Sequence, residues 1–256
     1  MISLRKALAL IICLALVCGC LASCEILDAL GSGSQTKVDP DKYEATVRIV
    51  FASNDSKMKA ALSAVSSTST VRSNGDSLEI CTEGKGSDIS VTDTYTLVGG
   101  MLYHTLTAQS HGYSVIQRKV AIFNETEEYL LLALLGPGAG IDKDDFNNVI
   151  DGSLGYTCEN ITDEAREGLE KTLADKLAVI GATVMVDEVT LLLNIENGLT
   201  TSSTLSCNLV ITLDGEEYEV TMRTYTDYDY KADVPHMMAP SDASEYEVVS
   251  YEEIMK

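Results

Sequence analysis

The strongest constraint on the fold is an alternation of apolar and polar residues that recurs along much of the chain. The first such run puts Tyr43, Ala45, Val47, Ile49 and Phe51 on one side of an extended segment. Successive side chains of a β-strand point to opposite faces, so the pattern predicts a strand with one buried face. Similar strand-like runs lie at 71–82, 87–98, 101–108, 113–123, 183–195, 200–213 and 217–229.

The breaks between these runs are short, as in β-hairpins. Gly99-Gly100, Asn197-Gly198 and Asp214-Gly215 separate consecutive runs, and such dipeptides favour tight turns between antiparallel strands. Parallel neighbours need longer crossovers. The sequence therefore predicts an antiparallel meander with one sheet and one shared core.

A few helices are predicted between the strands. A short one follows the first strand, with Asn54 or Ser56 as its cap and Met58, Leu62 and Val65 on one face. An apolar run at 129–135 after a capping-box-like start predicts a buried helix, and 142–150 predicts a short helical turn. The clearest helix opens at 162, with Leu169, Leu173, Leu177 and Ile180 as its apolar stripe and Gly181 as its end.

The N-terminus has the pattern of a secretory signal peptide. Arg5 and Lys6 precede an apolar run that is too short to span a bilayer. The following Leu21-Ala22-Ser23-Cys24 resembles the bacterial lipobox, which implies removal of residues 1–23 and attachment of diacylglycerol to Cys24. The segment Val17-Cys18-Gly19-Cys20 is a poorer match, and the alternative is an ordinary secreted protein.

A flexible tether is predicted to connect the lipidated cysteine to the folded body. Residues 24–41 contain Gly31-Ser32-Gly33-Ser34, and a chain of this kind and length reaches roughly 20–25 Å. Residues 42–256 are then expected to form a single β-rich domain. Two acyl chains suffice for stable anchoring, so we expect the protein to be attached to the cell membrane on its extracytoplasmic face.

The charge balance excludes several kinds of partner. Acidic residues outnumber basic ones 39 to 18. Removal of residues 1–23 takes away two basic residues and no acidic one, so the net charge falls from −21 to −23. Nucleic acids and anionic lipid surfaces are bound by clustered lysine and arginine, so neither is expected as a partner. The sequence does not indicate a protein partner.

No constellation in the sequence predicts catalysis, a metal or a cofactor. After Cys24 the cysteines are Cys81, Cys158 and Cys207, an odd number without a CxxC motif, which leaves one disulfide and one free thiol or three free thiols open. His104 and His111 lack a third zinc ligand. Residues 142–145 begin like a calcium loop without its later ligands, and the acidic residues at 227–233 are expected to be solvated.

The order of these segments resembles the lipoprotein-localisation-factor superfamily, which includes mycobacterial glycolipid-carrier lipoproteins. The resemblance covers about residues 42–245 and ends in Tyr225-Thr226-Asp227-Tyr228, Val234-Pro235 and Pro240-Ser241-Asp242-Ala243. It implies an α+β fold in which a strongly curved antiparallel sheet, a half-barrel of about eight or more strands, is covered by a few helices. It also implies an apolar cavity between sheet and helices that accepts acyl chains.

The resulting functional hypothesis is non-catalytic binding or carriage of a lipid or another hydrophobic ligand. The residues predicted to line the cavity are Leu169, Leu173, Leu177, Val47, Ile49, Leu209 and Ile211. The alternative is an interaction module of the cell envelope with a filled core, no ligand and an exposed aromatic patch around Tyr225, Tyr228 and Tyr230. A stripe of leucines at helical spacing is usually plain core packing, in which these side chains fill the space completely.

Overall fold

One large β-sheet dominates the computed structural model of the protein. The structure describes residues 39–63, 66–85, 89–110, 113–123, 137–138, 141–230 and 233–254. Within these ranges, twelve strands belong to the same sheet. They are β1 Lys42–Ser53, β2 Ser67–Asn74, β3 Ser77–Lys85, β4 Ile89–Val98, β5 Met101–Ser110, β6 Tyr113–Ile122, β7 Phe146–Gly152, β8 Gly155–Ile161, β9 Thr183–Glu196, β10 Leu199–Leu213, β11 Glu216–Tyr230 and β12 Glu247–Val248.

Two antiparallel meanders make up this sheet, in the order β12-β6-β5-β4-β3-β2-β1-β11-β10-β9-β8-β7. They meet where β1 pairs with β11, in a register that runs from Tyr43 opposite Tyr230 to Ser53 opposite Val220. Among the described strands, only the two-residue strand β12 is parallel to its neighbour, β6. Because β12 and β7 stand at opposite ends of the strand order, the sheet is not closed into a barrel.

The described residues include two helices of two or more turns and a third of a single turn. These are α1 Ser56–Ser63, α2 Asp163–Leu177 and α3 Tyr251–Ile254. The Asp55 carboxylate accepts a hydrogen bond from the Met58 backbone N–H at 2.9 Å, and the Thr162 hydroxyl accepts one from the Ala165 N–H at 3.4 Å. Both are N-terminal caps that satisfy otherwise unpaired backbone donors. Among the described residues, no helix combines the length and apolarity needed to cross a bilayer.

The helices α1 and α2 pack on one face of the sheet, which we call the helix face. It carries two apolar clusters. The first joins α1 and α2 to β1 and β7–β11 through residues such as Met58, Leu173 and Ile211, and the second joins β1–β6 to α3 through residues such as Val71 and Leu102. The alternation along β1 and β11 puts Arg48 and Tyr225 on the opposite, open face.

The C-terminal segment wraps around the β6 side of the sheet. On the open face, Tyr246 lies edge-on to Tyr103 with ring centroids 5.4 Å apart, and its hydroxyl is 2.5 Å from the Thr105 hydroxyl. After β12 the chain passes to the helix face, where Tyr251 packs edge-on against Phe123 at 5.9 Å. The last described residues are therefore part of the fold and not a loose acidic tail.

The structure confirms a β-rich, largely antiparallel fold with few helices and corrects several local predictions. The run 71–82 is two strands, because the chain turns at Gly75 with φ +83°. The predicted helical turn at 142–150 is a short 3-10 turn, Lys143–Asp145, followed by strand β7. Asp55, not Asn54 or Ser56, caps α1. Val65, the predicted helix at 129–135 and the lipobox Cys24 lie outside the described residues.

Candidate functional site

Six of the seven side chains predicted to line a cavity come together in the first apolar cluster. Leu169, Leu173 and Leu177 face the sheet from α2, and their partners on the strands are Ile49, Leu209 and Ile211. Val47 lies in the second cluster instead, because its neighbours across β2 and β3 belong to the other meander.

These side chains are covered by protein atoms. Leu173, Leu177 and Ile211 have no exposed surface, and Leu169, the most exposed of the three helix leucines, is 3% exposed. In this arrangement they have the packing of ordinary core residues, which touch neighbours on all sides.

A groove of about 450 Å³ lies on the open face, where the end of β1 meets the beginnings of β9 and β11 and the second half of β10. Its lining is mostly polar and consists of Ala52, Ser53, Asn54, Asp187, Asn208, Leu209, Val210, Glu219, Val220 and Thr221. Asn208 donates a hydrogen bond to Glu188 at 3.1 Å beside it. Carboxylate, amide and hydroxyl groups suit hydroxyl-bearing ligands better than acyl chains.

A β-bulge forms one wall of this groove. The pairing of β9 with β10 shifts between Asn208 and Leu209, whose partners are Glu188 and Val186, so that Asp187 is the extra residue. A bulge bends the strand and redirects the side chain of the inserted residue. This irregularity explains how Asp187 comes to line the groove.

An arginine lies over a tyrosine ring on the same face as the groove, two rows of cross-strand pairs away from it. The Arg48 guanidinium carbon is 4.8 Å from the centroid of the Tyr225 ring, and the two residues are direct cross-strand partners on β1 and β11. A cation over a ring face is stabilising. The predicted aromatic patch is thus only partly present, because Tyr228 and Tyr230 lie on the helix face, where both contact the Tyr43 ring.

A histidine and an aspartate form a close pair on the helix face of β4 and β5. His104 Nε2 is 2.6 Å from Asp93 Oδ1, and the His104 ring stacks on the Tyr95 ring at 4.4 Å between centroids. Burial and the neighbouring Asp93 charge raise the pKa of Tyr95 well above its usual range. His104 Nδ1 is buried and finds no hydrogen-bond partner among the described residues.

This pair has the geometry of an imidazole oriented by a carboxylate, as in general-base sites. The residues directly opposite His104 are Tyr95 on β4 and Lys119 on β6, so among the described residues no serine, threonine or cysteine is its cross-strand partner. Cys81 on the neighbouring strand β3 lies on the open face, whereas His104 lies on the helix face, so the two side chains do not form a hydrogen bond. Sequence reasoning named His104 and missed Asp93. The sequence contained one sign of this pair: in the alternation of β4, the acidic Asp93 occupies a position that faces the helix side of the sheet.

The cysteines within the described residues are all free thiols. Cys158 and Cys207 are buried and Cys81 is partly exposed. Burial raises the pKa of Cys207 to about 12, so its thiolate is scarce at neutral pH. Within the described ranges, no group of three histidine, cysteine or acidic residues is arranged to hold a metal ion.

Comparisons with known proteins give no family. No family model and no curated protein matches the chain. Among solved structures, a GphF DH1 variant described as isomerase-inactive covers 82% of this chain and 80% of its own, at 6% identity and a TM-score of 0.18. A 12:0-ACP thioesterase from Umbellularia californica covers 78% and 79% respectively, at 12% identity and a TM-score of 0.14. Likenesses at such scores carry no argument about fold or function.

Proposed function

We propose that this protein is a lipid-anchored, non-catalytic binding module on the extracytoplasmic face of the cell membrane. Diacylglycerol on Cys24 holds it there, and the exposed surface of its sheet meets the partner. The anchoring rests on the lipobox-like segment Leu21-Ala22-Ser23-Cys24 and the tether that follows it. Membership of the lipoprotein-localisation-factor superfamily, with its strongly curved sheet, stays a prediction of the sequence resemblance.

The observation that carries the binding mode is the packing between α2 and the sheet. Carriage of an acyl chain requires open volume beside Leu169, Leu173 and Leu177, and these side chains are at most 3% exposed. The groove on the open face has a polar lining. The geometry therefore supports an interaction module with a filled core better than internal carriage of a lipid.

The anchor is tested by labelling cells that produce the full chain with radioactive palmitate. We expect Cys24→Ala to abolish labelling. The matched control is Cys20→Ala, which changes the poorer lipobox-like segment and should leave labelling intact. Persistent labelling of Cys24→Ala, or loss of labelling in Cys20→Ala alone, would show that Cys24 is not the acylated residue.

The filled core is tested by native mass spectrometry of the full chain extracted from membranes. A filled core predicts a mass that is explained by the polypeptide and its covalent lipid alone. A second lipid that co-purifies reproducibly and leaves on denaturation would replace the proposed module with a lipid carrier, the function that the sequence resemblance implies.

A further inference from the structure

The arginines of the open face fall into two kinds. Arg72 pairs with Glu44 at 3.2 Å and with Glu79 at 3.1 Å. Arg118 forms ion pairs with two carboxylates of the C-terminal segment, Asp242 at 2.9 Å and Glu245 at 3.2 Å. Arg48 and Arg223 have no carboxylate of a described residue within ion-pairing distance, although acidic residues outnumber basic ones 39 to 18.

The two unpaired arginines are neighbours at the centre of the sheet. Arg48 on β1 is opposite Tyr225 on β11, and Arg223 is opposite Val50, so the two arginines occupy diagonal positions on the same face. Diagonal cross-strand side chains lie within reach of one another when they are long. Both arginines are exposed, and the Arg48 guanidinium lies over the Tyr225 ring.

Hydroxyl side chains occupy the register positions around this pair. Thr68 is opposite Arg48 on β2, and Ser206 and Thr204 are opposite Arg223 and Tyr225 on β10. We call Arg48, Arg223, Tyr225, Thr68, Thr204 and Ser206 the arginine patch. Acidic residues border the patch in the register: Glu83 on β3 is directly opposite Thr68, Asp227 is diagonal to Arg48, and Glu188 is diagonal to Ser206.

The patch continues into the groove. The row formed by Val50, Arg223 and Ser206 lies one step along the strands from the row formed by Ala52, Thr221 and Asn208, which lines the groove. A ligand can therefore touch guanidinium groups at one end and amide, hydroxyl and carboxylate groups at the other.

We infer that the arginine patch and the adjoining groove bind an acidic glycan, a sugar chain that carries widely spaced carboxylate or phosphate groups. Guanidinium groups form strong hydrogen bonds with such anions. Hydroxyl side chains both donate and accept, which matches sugar hydroxyls. This inference rests on the proposed function and names the partner of the module.

The net charge of the protein limits how densely charged its ligand can be. With a net charge of −21 on the full chain, the protein repels a densely charged polyanion, because some charges of such a polymer come close to carboxylates outside the patch. Beyond about 8 Å this repulsion is screened at physiological salt, so an isolated acidic group in contact with the patch is still attracted. A sparsely charged glycan fits both conditions.

The test measures binding of defined polymers to the full chain in detergent by calorimetry or interferometry. Hyaluronan oligosaccharides, with one carboxylate per disaccharide, are the positive probe. Dextran is the neutral probe, heparin the densely charged one and poly-glutamate the acidic polypeptide. We expect hyaluronan to bind, dextran not to bind, heparin to bind more weakly than hyaluronan, and hyaluronan affinity to fall as NaCl rises from about 0.05 to 0.5 M.

Three variants localise the site. Arg48→Gln with Arg223→Gln should lower hyaluronan affinity by about tenfold or more, because both contacts to the anion are lost. The matched control is Arg72→Gln, which removes an arginine of the same face that is already paired, and it should change affinity by less than about twofold. Cys24→Ala should bind like the parent chain, so a failed anchor is distinguishable from a failed glycan site.

Several outcomes overturn the inference. No binding of hyaluronan, equal binding of dextran, or equal losses in the Arg72→Gln and Arg48→Gln/Arg223→Gln variants would do so. Binding of poly-glutamate in place of hyaluronan would assign the patch to an acidic protein. The probe series and the salt titration need only the parent chain, so the inference stays testable even if the double variant does not fold.

Discussion

His104 and Asp93 form a hydrogen bond of 2.6 Å on the helix face, beneath the stacked ring of Tyr95. The His104 side chain is 11% exposed and that of Asp93 is 31% exposed. Within the part of the chain that the structure describes, Asp93 is thus the only hydrogen-bond partner of an imidazole that is largely removed from water. A buried polar group without a partner is costly, so this bond matters to stability more than one at the surface.

The first prediction concerns this pair. Asp93→Ala should lower the free energy of unfolding by about 1–3 kcal/mol, because it leaves the imidazole without a partner. Asp93→Asn keeps a hydrogen-bonding group and should cost less. Urea unfolding followed by circular dichroism measures both. A cost below about 0.5 kcal/mol for Asp93→Ala would show that solvent replaces the lost partner.

The second prediction concerns the filled core. Leu173→Ala removes a side chain with no exposed surface and should destabilise the protein by about 2–5 kcal/mol through lost burial and a new cavity. Leu192→Ala on the open face, where the leucine is 45% exposed, should cost less than about 1 kcal/mol. Similar costs for the two variants in urea unfolding would indicate a loosely packed space beneath α2.

The third prediction compares two glycines. A Cβ on Gly155 would stand 1.8 Å from the Leu193 carbonyl oxygen, at φ +153°, so Gly155→Ala should displace β8 from β9 and strongly lower the unfolding midpoint. A Cβ on Gly168 in α2 meets nothing within 4 Å. Gly168→Ala should therefore stabilise the protein by about 0.5–1 kcal/mol through helix propensity. Thermal unfolding of the two variants distinguishes these outcomes.

The fourth prediction concerns pH. Burial lowers the pKa of Lys176 below its usual value, although its ammonium group lies 3.3 Å from the Ser67 hydroxyl. The unfolded chain then binds this proton more tightly than the folded one, so the lysine opposes folding at neutral pH and stops doing so as pH approaches its unfolded pKa. Lys176→Met should be more stable than the parent at pH 7.

That advantage should shrink as pH rises toward about 10.4, the ordinary lysine value. Urea unfolding at a series of pH values between 7 and about 10 compares the variant with Lys171→Met, which alters an exposed lysine of the same helix. A pH-independent difference between Lys176→Met and the parent would mean that the packing of the methionine, and not the removed charge, explains the gain.

Local patterns predicted much of the sheet. The strands at 183–196, 199–213 and 216–230 agree with their alternation and with the turns at Asn197-Gly198 and Asp214-Gly215. The stripe Leu169, Leu173 and Leu177 is buried as its helical spacing predicts. These elements are set by contacts close in sequence, which propensity and periodicity describe.

Elements that depend on distant partners were less predictable. Asp142 caps a 3-10 turn with the same side-chain hydrogen bonds that begin a helix. The acidic cap residue therefore predicted a helical start correctly but did not show that the chain continues as strand β7. The neighbours of Arg48 and His104 are set by strand register, which the alternation alone does not give. Tyr225 is far from Arg48 along the chain, and only the β1–β11 pairing brings the two together.

The position of β1 between β2 and β11 also determines when the sheet can be finished. The first strand acquires its second neighbour only after residues 216–230 have been made, because Tyr43 pairs with Tyr230. Until then one edge of β1 offers unpaired backbone groups beside apolar side chains, which is the condition that favours wrong pairing between chains. We therefore expect slow completion of folding, with the joining of the two meanders as its late step.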